Sequence, residues 1–313
     1  MGSVDMTPLT HVEVDGHPAG VDDLRHLALA NDGHLTTMQV RAGRVRGLAL
    51  HLRRLDRANQ ELYGTYLDGG LVRDRIRHAL ATTPAPHGPA ESGDATVRTV
   101  VFPTGTGSVS ILVSIGPPAE PAAGPLRLCS LRYQRPFPHI KHVGSFGQIH
   151  FGRLARGRGF DDALLVTGEG LVCETTVANI GFVTAAPARV IWPDGPSLVG
   201  VTMALLDERL RPGATAEPVA HQVPAAAAAA AVTAPDTATI VPAAAAGEER
   251  GPLLESRREP VRLADVGHFR AAFVANARGI VPVDRIDTTP VPVNETALAA
   301  LRRAYASVPW DEI

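Results

Sequence analysis

The chain of 313 residues contains a single lysine, Lys141, and all of its other Lys or Arg positions are arginines. Arginine stays protonated, so it can replace lysine where only positive charge is needed, but it cannot supply a free amine. A lysine amine can attack a carbonyl group and form a Schiff base. Composition alone leaves two interpretations equally open: Lys141 is a nucleophile, or it is a surface lysine that remains by chance.

Motifs on both sides of Lys141 decide between these interpretations. They are H-L-R-R-L at 51–55, H-I-K-H-V-G-S-F at 139–146, G-F-D-D-A-L-L-V at 159–166, E-T-T-V-A-N at 174–179, L-V-G-V-T at 198–202 and R-G-I-V-P-V at 278–283. In this order they resemble the fold-type IV, class IV aminotransferase family, whose cofactor is pyridoxal 5'-phosphate (PLP). That family includes branched-chain and D-amino-acid aminotransferases and aminodeoxychorismate lyase. Each motif alone is weak, but together they make coincidence improbable.

The resemblance implies an α/β (α+β) fold of two domains, a small N-terminal α/β sandwich and a larger C-terminal pseudobarrel. A proline-rich stretch before position 126 places the boundary. We expect an N-terminal domain over 1–125, a connection over 126–138 and the PLP-binding domain over 139–313. Alanine runs broken by prolines over 211–260 predict a partly mobile surface insertion without a catalytic role.

Hydrophobic periodicity predicts the elements that carry the motifs. Helices are expected over 50–64, 71–81, 148–158, 200–210 and 294–305, the last opened by Asn294 as a cap. Strands are expected at 11–14, 96–102, 109–115, 126–133, 163–166, 171–174, 180–183, 190–191, 271–276 and 280–286. The segments 36–40 and 45–48 are predicted to pair as a hairpin.

The resemblance also assigns the centre of the cofactor site. Lys141 would form the Schiff base with PLP and then act as general base on the substrate Cα proton. Glu174 would accept a hydrogen bond from the pyridine nitrogen and so keep the ring able to take up electrons. Arg54 would bind the phosphate through its planar fork of donors. A solvated helix charge is the competing interpretation, and it suits the neighbouring Arg53.

Three further places are expected to bind the cofactor or to support the residues that do. Gly200, Val201 and Thr202 open a helix, whose free N–H groups and positive end suit a phosphate, and the Thr202 hydroxyl adds a donor. A simple helix start would have the same sequence. Asn179 is expected behind the contacting residues, where structural and functional roles are equally open. Asn276 lies where relatives often place Ser or Thr, and it would serve as a phosphate donor.

Departures from the family motifs fall on the substrate side. G-H-L-T-T at 33–37 stands where the family has G-x-F-E-[ST], and Phe146 replaces a tyrosine of the branched-chain enzymes. Because the chain has only four tyrosines, a branched-chain amino acid is not the expected substrate. Arg98 is the first candidate to bind a substrate carboxylate, ahead of Arg132 and Arg135. A surface arginine is the competing interpretation for each.

Composition excludes several other classes of protein. A net charge of -2 gives no electrostatic basis for binding nucleic acid. The first residues lack the pattern of a signal peptide, and no suitable apolar stretch predicts a membrane span, so a cytoplasmic protein is expected. Cys129 and Cys173 show neither metal-ligand nor disulfide spacing. The histidines lack zinc-site spacing, so no metal site is predicted.

The resemblance therefore implies a PLP-dependent aminotransferase that acts on an amino donor and a keto-acid acceptor by a ping-pong mechanism. A homodimer is expected, since relatives complete their site with a partner subunit. The first alternative is a PLP-dependent lyase of the aminodeoxychorismate type, which would use the same cofactor residues. The second is a non-catalytic or PLP-independent protein that keeps the fold as a binding module.

Overall fold

The computed structural model describes residues 11–83, 93–105, 107–211 and 254–313. The helices are α1 Val21–Leu29, α2 Leu48–Tyr63, α3 Gly69–Thr82, α4 Phe146–Gly157, α5 Val201–Arg209 and α6 Glu295–Ala306. The first strands are β1 His11–Val14, β2 His17–Pro18, β3 His34–Val40, β4 Arg44–Arg46, β5 Ala95–Gly105, β6 Ser108–Gly116, β7 Leu126–Arg132 and β8 Asp162–Val166. The others are β9 Val172–Thr175, β10 Asn179–Val183, β11 Arg189–Pro193, β12 Glu255–Glu259, β13 Ala271–Asn276, β14 Gly279–Ile286, β15 Thr289–Pro290 and β16 Trp310–Glu312.

The N-terminal part forms a five-stranded antiparallel sheet in the order β2-β1-β6-β5-β3. Helices α2 and α3 cover one face of it. Leu55 and Ile76 point from these helices into a core that the sheet completes with Val97 and Ile115, and all four side chains are fully buried. This arrangement is the α/β sandwich that the resemblance implies, and it fixes the side of the sheet on which α2 presents its arginines.

A second, mixed sheet runs in the order β12-β11-β10-β13-β14-β7-β8-β9, with β15 beside β14. The sheet curls so that β9 also contacts β10, which closes it into a half-barrel. Its inner face is filled by apolar side chains such as Leu164, Phe182 and Val283. Helices α5 and α6 pack outside it on Trp192 and Phe273. The predicted fold class, including the pseudobarrel, is confirmed.

The segment that carries Lys141 connects β7 to α4 and passes between the two sheets. Helix α4 then packs on β7 and β8 through a small core that includes Ala155, Cys129 and Leu165. Both ends of the connecting segment are therefore fixed by buried contacts in the C-terminal sheet. Whether the chain divides into domains at 126–138 stays a prediction.

The hairpin predicted between 36–40 and 45–48 forms only at its turn, where Arg41 and Arg44 exchange two backbone hydrogen bonds, and the predicted pairing of the two strands beyond it is wrong. β3 pairs with β5, and β4 pairs with β16 near the other end of the sequence. The Arg46 guanidinium lies 4.0 Å from the centroid of the Trp310 ring and 5.0 Å from that of Tyr305, a cation–π arrangement that favours the long-range pairing. Local spacing could not reveal this choice, because the attraction comes from side chains remote in sequence.

Two further differences concern elements that an apolar pattern does not reveal. Helix α1 was not predicted, because none of its side chains is buried. Of the predicted insertion 211–260, residues 212–253 lie outside the described residues, but its end forms β12, which pairs in parallel with β11. In the part of the chain that the structure describes, no helix combines the length and apolar character that crossing a bilayer requires.

Candidate active site

The backbone around Lys141 is held by the N-terminal sheet. The carbonyl oxygen of Lys141 accepts a hydrogen bond from the Leu35 amide at 2.8 Å, and the Val143 amide donates to the Gly33 carbonyl at 2.9 Å. Leu35 lies on β3, and Gly33 directly precedes this strand. The backbone of Lys141 is thus hydrogen-bonded to the N-terminal sheet, although its segment follows β7 of the C-terminal sheet.

The Lys141 amine has a strongly perturbed acidity. Burial, followed by the positive charges of Arg54, Arg135 and Arg98, lowers its pKa to about 7, and the Glu174 carboxyl opposes this only weakly. A buried amine surrounded by cations loses its proton more readily than a free one. A substantial fraction is therefore neutral near pH 7, as a nucleophile or base requires.

Glu174 lies on β9 and is 6% exposed. Its Oε1 accepts from Nη1 of Arg135 at 3.4 Å, and its Oε2 accepts from the Leu198 amide at 3.3 Å. Burial raises the pKa of the carboxyl group, and Arg135 is the largest influence that lowers it. The structure therefore gives this buried carboxyl one cationic and one backbone partner.

Arg54 lies on α2 and reaches across to the segment before α5. Its Nη2 donates to the Val199 carbonyl at 2.7 Å, and its Nη1 lies 3.5 Å from the Thr36 hydroxyl. Burial and the charge of Arg135 lower its pKa to about 10, so it stays cationic at neutral pH. The helix thus presents a fixed positive charge beside the first turn of α5.

His51 is a buried neighbour of Arg54 that sequence reasoning missed. Its Nδ1 lies 2.6 Å from the Thr36 hydroxyl. Burial, followed by the charges of Arg54 and Lys141, lowers its pKa to about 3, so the ring is neutral. The signal was present, because positions 51 and 54 are three residues apart and share one helix face. His51 therefore adds a neutral support behind the arginine.

Asn179 clamps the turn that precedes α5. Its Nδ2 donates to the Leu198 carbonyl at 2.6 Å, and its Oδ1 accepts from the Gly200 amide at 2.9 Å. A Cβ atom at Gly200 would come within 2.2 Å of that Oδ1, so only glycine fits there. The same turn contains the Leu198 amide that contacts Glu174. One buried side chain thus fixes two backbone groups that border the site.

Thr202 and Asn276 meet on the outer side of that turn. The Thr202 hydroxyl donates to the Asn276 carbonyl at 2.7 Å, so its single hydrogen is engaged within the protein. The Asn276 side chain accepts from the Arg278 amide at 2.9 Å and lies 3.5 Å from the Val177 carbonyl. The amides of Val201 and Thr202 belong to the first turn of α5, where no intrahelical acceptor exists.

The structure treats the two predicted substrate residues differently. Arg98 lies on β5, and its charge is one of those that lower the pKa of Lys141. Within the described ranges its guanidinium has no hydrogen-bond or ion-pair partner, and the surrounding protein lowers its pKa. Phe146 opens α4, is 77% exposed and stacks on His150. The structure brings Arg98 to the lysine and leaves Phe146 at the surface.

The charges at the site fit a phosphorylated pyridine cofactor. The charges that act on Lys141 are three guanidinium groups, those of Arg54, Arg98 and Arg135, and one carboxyl group, that of Glu174. A dianionic phosphate would balance part of this surplus, and the first turn of α5 offers N–H groups for it. The Nε of Arg135 is also buried with no partner among the described residues. The residues present therefore fit PLP.

Solved structures share this fold at low sequence identity. A hypothetical aminotransferase from Mycobacterium tuberculosis in a PLP-bound form is 17% identical with a TM-score of 0.67, over 95% of this chain and 98% of that one. The branched-chain amino acid aminotransferase of Escherichia coli is 13% identical with a TM-score of 0.69, over 96% and 94%. A putative 4-amino-4-deoxychorismate lyase from Legionella pneumophila is 17% identical with a TM-score of 0.68, over 93% and 96%.

Comparison of the sequence itself gives the family. No curated protein sequence matches the chain significantly. The profile of the family described as amino-transferase class IV matches residues 33–232. This region runs from β3 beyond α5 and contains Arg54, Lys141, Glu174 and Thr202. The predicted family is thereby confirmed, and with it the cofactor, since the family is PLP-dependent. The chain belongs to the class IV aminotransferases.

Proposed function

We propose that the protein is an aminotransferase that moves an amino group from an amino acid to a keto acid by a ping-pong mechanism, with PLP as cofactor. The observation that carries this proposal is the buried Lys141 amine with a pKa of about 7, enclosed with Glu174 and Arg54. The residues proposed to hold the cofactor are Lys141, Glu174, Arg54, Asn179, Gly200, Val201, Thr202 and Asn276.

The central residues supply proton transfer and charge balance. When bound, PLP offers a carbonyl carbon for amine exchange and a ring that takes up electron density from the substrate. The Nζ atom of Lys141 removes a proton from the substrate Cα and returns one, because a group with a pKa of about 7 is available in both states near neutral pH. Glu174 accepts a hydrogen bond from the ring nitrogen and balances its charge.

The phosphate end is formed by α2 and α5. Arg54 provides the fixed positive charge, and the amides of Val201 and Thr202 provide donors. Asn179 acts behind them by holding Gly200 at the helix start. Asn276 fixes Thr202 through its backbone carbonyl. This end of the site is therefore organised mainly by backbone groups and one arginine.

Arg98 is proposed to bind the substrate carboxylate, because its guanidinium has no partner in the described part of the chain. Its positive charge also lowers the pKa of Lys141, which places it near the amine. Phe146 is proposed to lie on the substrate side of the site, where a second subunit would cover its exposed ring. The homodimer that we propose for this chain would provide such a cover. Replacing Arg98 by Gln should raise KM for both substrates much more than it lowers cofactor affinity.

The decisive experiment uses the single lysine. Protein incubated with PLP is treated with borohydride, digested and analysed by mass spectrometry. We expect a reduced cofactor adduct on the peptide that contains Lys141 and none on that peptide in Lys141→Met. Because no other lysine exists, only the N-terminal amine can compete, and it lies on a different peptide. Absence of an adduct at saturating PLP would overturn the proposal.

A second measurement separates transfer from elimination. Amino donors are screened for conversion of the bound cofactor to its amino form, and keto acids for its return. Amine transfer that depends on the keto acid supports the aminotransferase. Release of pyruvate from aminodeoxychorismate without a keto acid would instead assign the lyase reaction to the same site.

A further inference from the structure

Arg135 and Glu174 form a buried ion pair beside Lys141. Both side chains are 7% exposed, and Nη1 of Arg135 lies 3.4 Å from Oε1 of Glu174. Arg135 comes from the loop after β7, while Glu174 comes from β9. Two separate parts of the half-barrel therefore meet at this contact. Arg135 precedes Lys141 by six residues in the sequence.

Stability alone does not account for this pair. Burying two charges costs desolvation energy that their attraction often only balances, and apolar residues of similar volume frequently serve a fold as well. Here the cost is increased, because Nε of Arg135 is buried without a hydrogen-bond partner among the described residues. The pair is better explained by the effect of Arg135 on the charge and orientation of the Glu174 carboxyl group.

The surroundings of Glu174 otherwise favour its neutral form. Burial raises the pKa of the carboxyl group. The groups that face it are Arg135 and the Leu198 amide, which lower its pKa, then Lys141 with a weaker effect, and the neighbouring Cys173 thiol. Lys141 is itself partly neutral near pH 7. Among the described residues, Arg135 is thus the one cation in contact with Glu174 that stays charged across the neutral pH range.

We propose that Arg135 is a positioning residue that keeps Glu174 ionised and fixes its orientation, so that Glu174 can accept a hydrogen bond from the pyridine nitrogen of PLP. The inference rests on the proposed function for the role of Glu174. It differs from the expectation that Arg135 binds a substrate carboxylate, because its guanidinium is buried against Glu174 while Arg98 stays exposed and unpaired in the described residues.

The test uses the full-length holoenzyme, the variants Arg135→Gln and Arg135→Lys, Arg132→Gln as a matched control, and Glu174→Gln to assign the titration. Arg132 is an exposed arginine at the end of β7. The absorbance of the bound cofactor is recorded against pH, and the part of the titration that disappears in Glu174→Gln is assigned to Glu174. An adjacent cation lowers a carboxyl pKa by about 1–3 units. We therefore expect Arg135→Gln to move that midpoint upward by about one unit or more.

The other variants sharpen the result. Arg135→Lys keeps the charge without the fork and should shift the midpoint less, and Arg132→Gln should not shift it. In the Glu174→Gln background, Arg135→Gln should add no further spectral change. An unchanged midpoint in Arg135→Gln would overturn the proposal. It would also be overturned if Arg135→Gln changed the spectrum equally in the wild-type and Glu174→Gln backgrounds. If Arg135→Gln fails to fold, Arg135→Met, which also removes the charge, takes its place under the same criterion.

A cofactor-free measurement separates this proposal from the proposed function. The carboxyl carbon of Glu174 is followed by NMR in carbon-13-labelled apo-protein and assigned by its loss in Glu174→Gln. Arg135→Gln should raise its titration midpoint by about one unit or more. If the wild type takes up no PLP, the proposed function fails, whereas an unaltered Glu174 titration contradicts the role of Arg135 even when PLP binds normally.

Discussion

The amide of Leu35 donates a hydrogen bond to the carbonyl of Lys141 over 2.8 Å. Leu35 lies on β3 of the N-terminal sheet, and a second bond from Val143 to Gly33 continues the contact. The backbone of Lys141 is thus held by a strand from the other half of the molecule. Disturbance of the first strands should therefore change the chemistry of a lysine about 100 residues away.

Lys141→Met should alter how stability depends on pH. In the folded protein the pKa of Lys141 falls from 10.5 to about 7. Between these values the unfolded chain binds more protons, so this lysine makes apo-protein stability rise with pH over that window. Lys141→Met should therefore be more stable than wild type at about pH 6.5, and the gain should shrink toward about pH 10. Thermal melts of both apo-proteins across this range measure it; a pH-independent difference would contradict the shifted pKa.

Gly200→Ala should damage the turn before α5. The new Cβ would lie 2.2 Å from Oδ1 of Asn179 and would push that side chain from its two backbone partners. Leaving such buried groups unpaired costs about 1–3 kcal/mol. We expect a corresponding loss in chemical denaturation and weaker PLP binding by absorbance titration. Gly168→Ala is the matched control, because nothing lies within 4 Å of a Cβ there; an equal effect in both variants would refute the clamp.

Arg54→Gln should weaken PLP binding about tenfold to a hundredfold, because a hydrogen bond to a charged group contributes about 1.5–3 kcal/mol. The measurement is equilibrium binding of PLP to apo-protein. Arg53→Gln, one position earlier on α2, should bind within about twofold of wild type, because adjacent helix positions face different directions and Arg53 is not among the charges that act on Lys141. Equal losses in both variants would mean that the general charge of the helix, and not the fork of Arg54, binds the phosphate.

Asn294→Ala should destabilise the protein by about 1 kcal/mol through loss of a helix cap. The Asn294 side chain accepts from the Ala297 amide at 3.0 Å at the start of α6. Asn294→Ser keeps an oxygen acceptor and should recover most of the stability. Urea denaturation gives both differences, and loss of the same size in the serine variant would show that the cap is not the cause.

The sequence was sufficient for elements whose stabilising contacts are local. The apolar spacing that begins at Leu50 predicts α2, which starts at Leu48, to within two residues, and Gly64 ends it in a left-handed conformation with φ 68°. The cap at Asn294 is likewise confirmed. Strands β5 and β6 contain the predicted strands 96–102 and 109–115 and pair in one sheet. For the helix end and the cap the deciding contacts lie within a few residues, so a single sequence carries the information.

The parts that could not be predicted depend on distant partners. Arg135 was considered for a substrate carboxylate, but its contact with Glu174 spans 39 residues and depends on how the half-barrel closes. The hydroxyl of Thr202 was expected to face a phosphate, and it donates to Asn276 from 74 residues away. The sequence motifs drew attention to these residues, but the partner of each side chain is set by tertiary packing, which a single sequence does not show.

The pairing of β4 with β16 has a consequence for how the molecule assembles. The Leu48 amide at the start of α2 donates to the Asp311 side chain, a contact that closes 263 residues of chain. Such wide loop closure is entropically expensive and tends to occur late in folding. The helix that carries Arg54 would then gain its first-turn anchor among the last events, and a ribosome-bound fragment lacking β16 would lack the contact that holds the start of this helix.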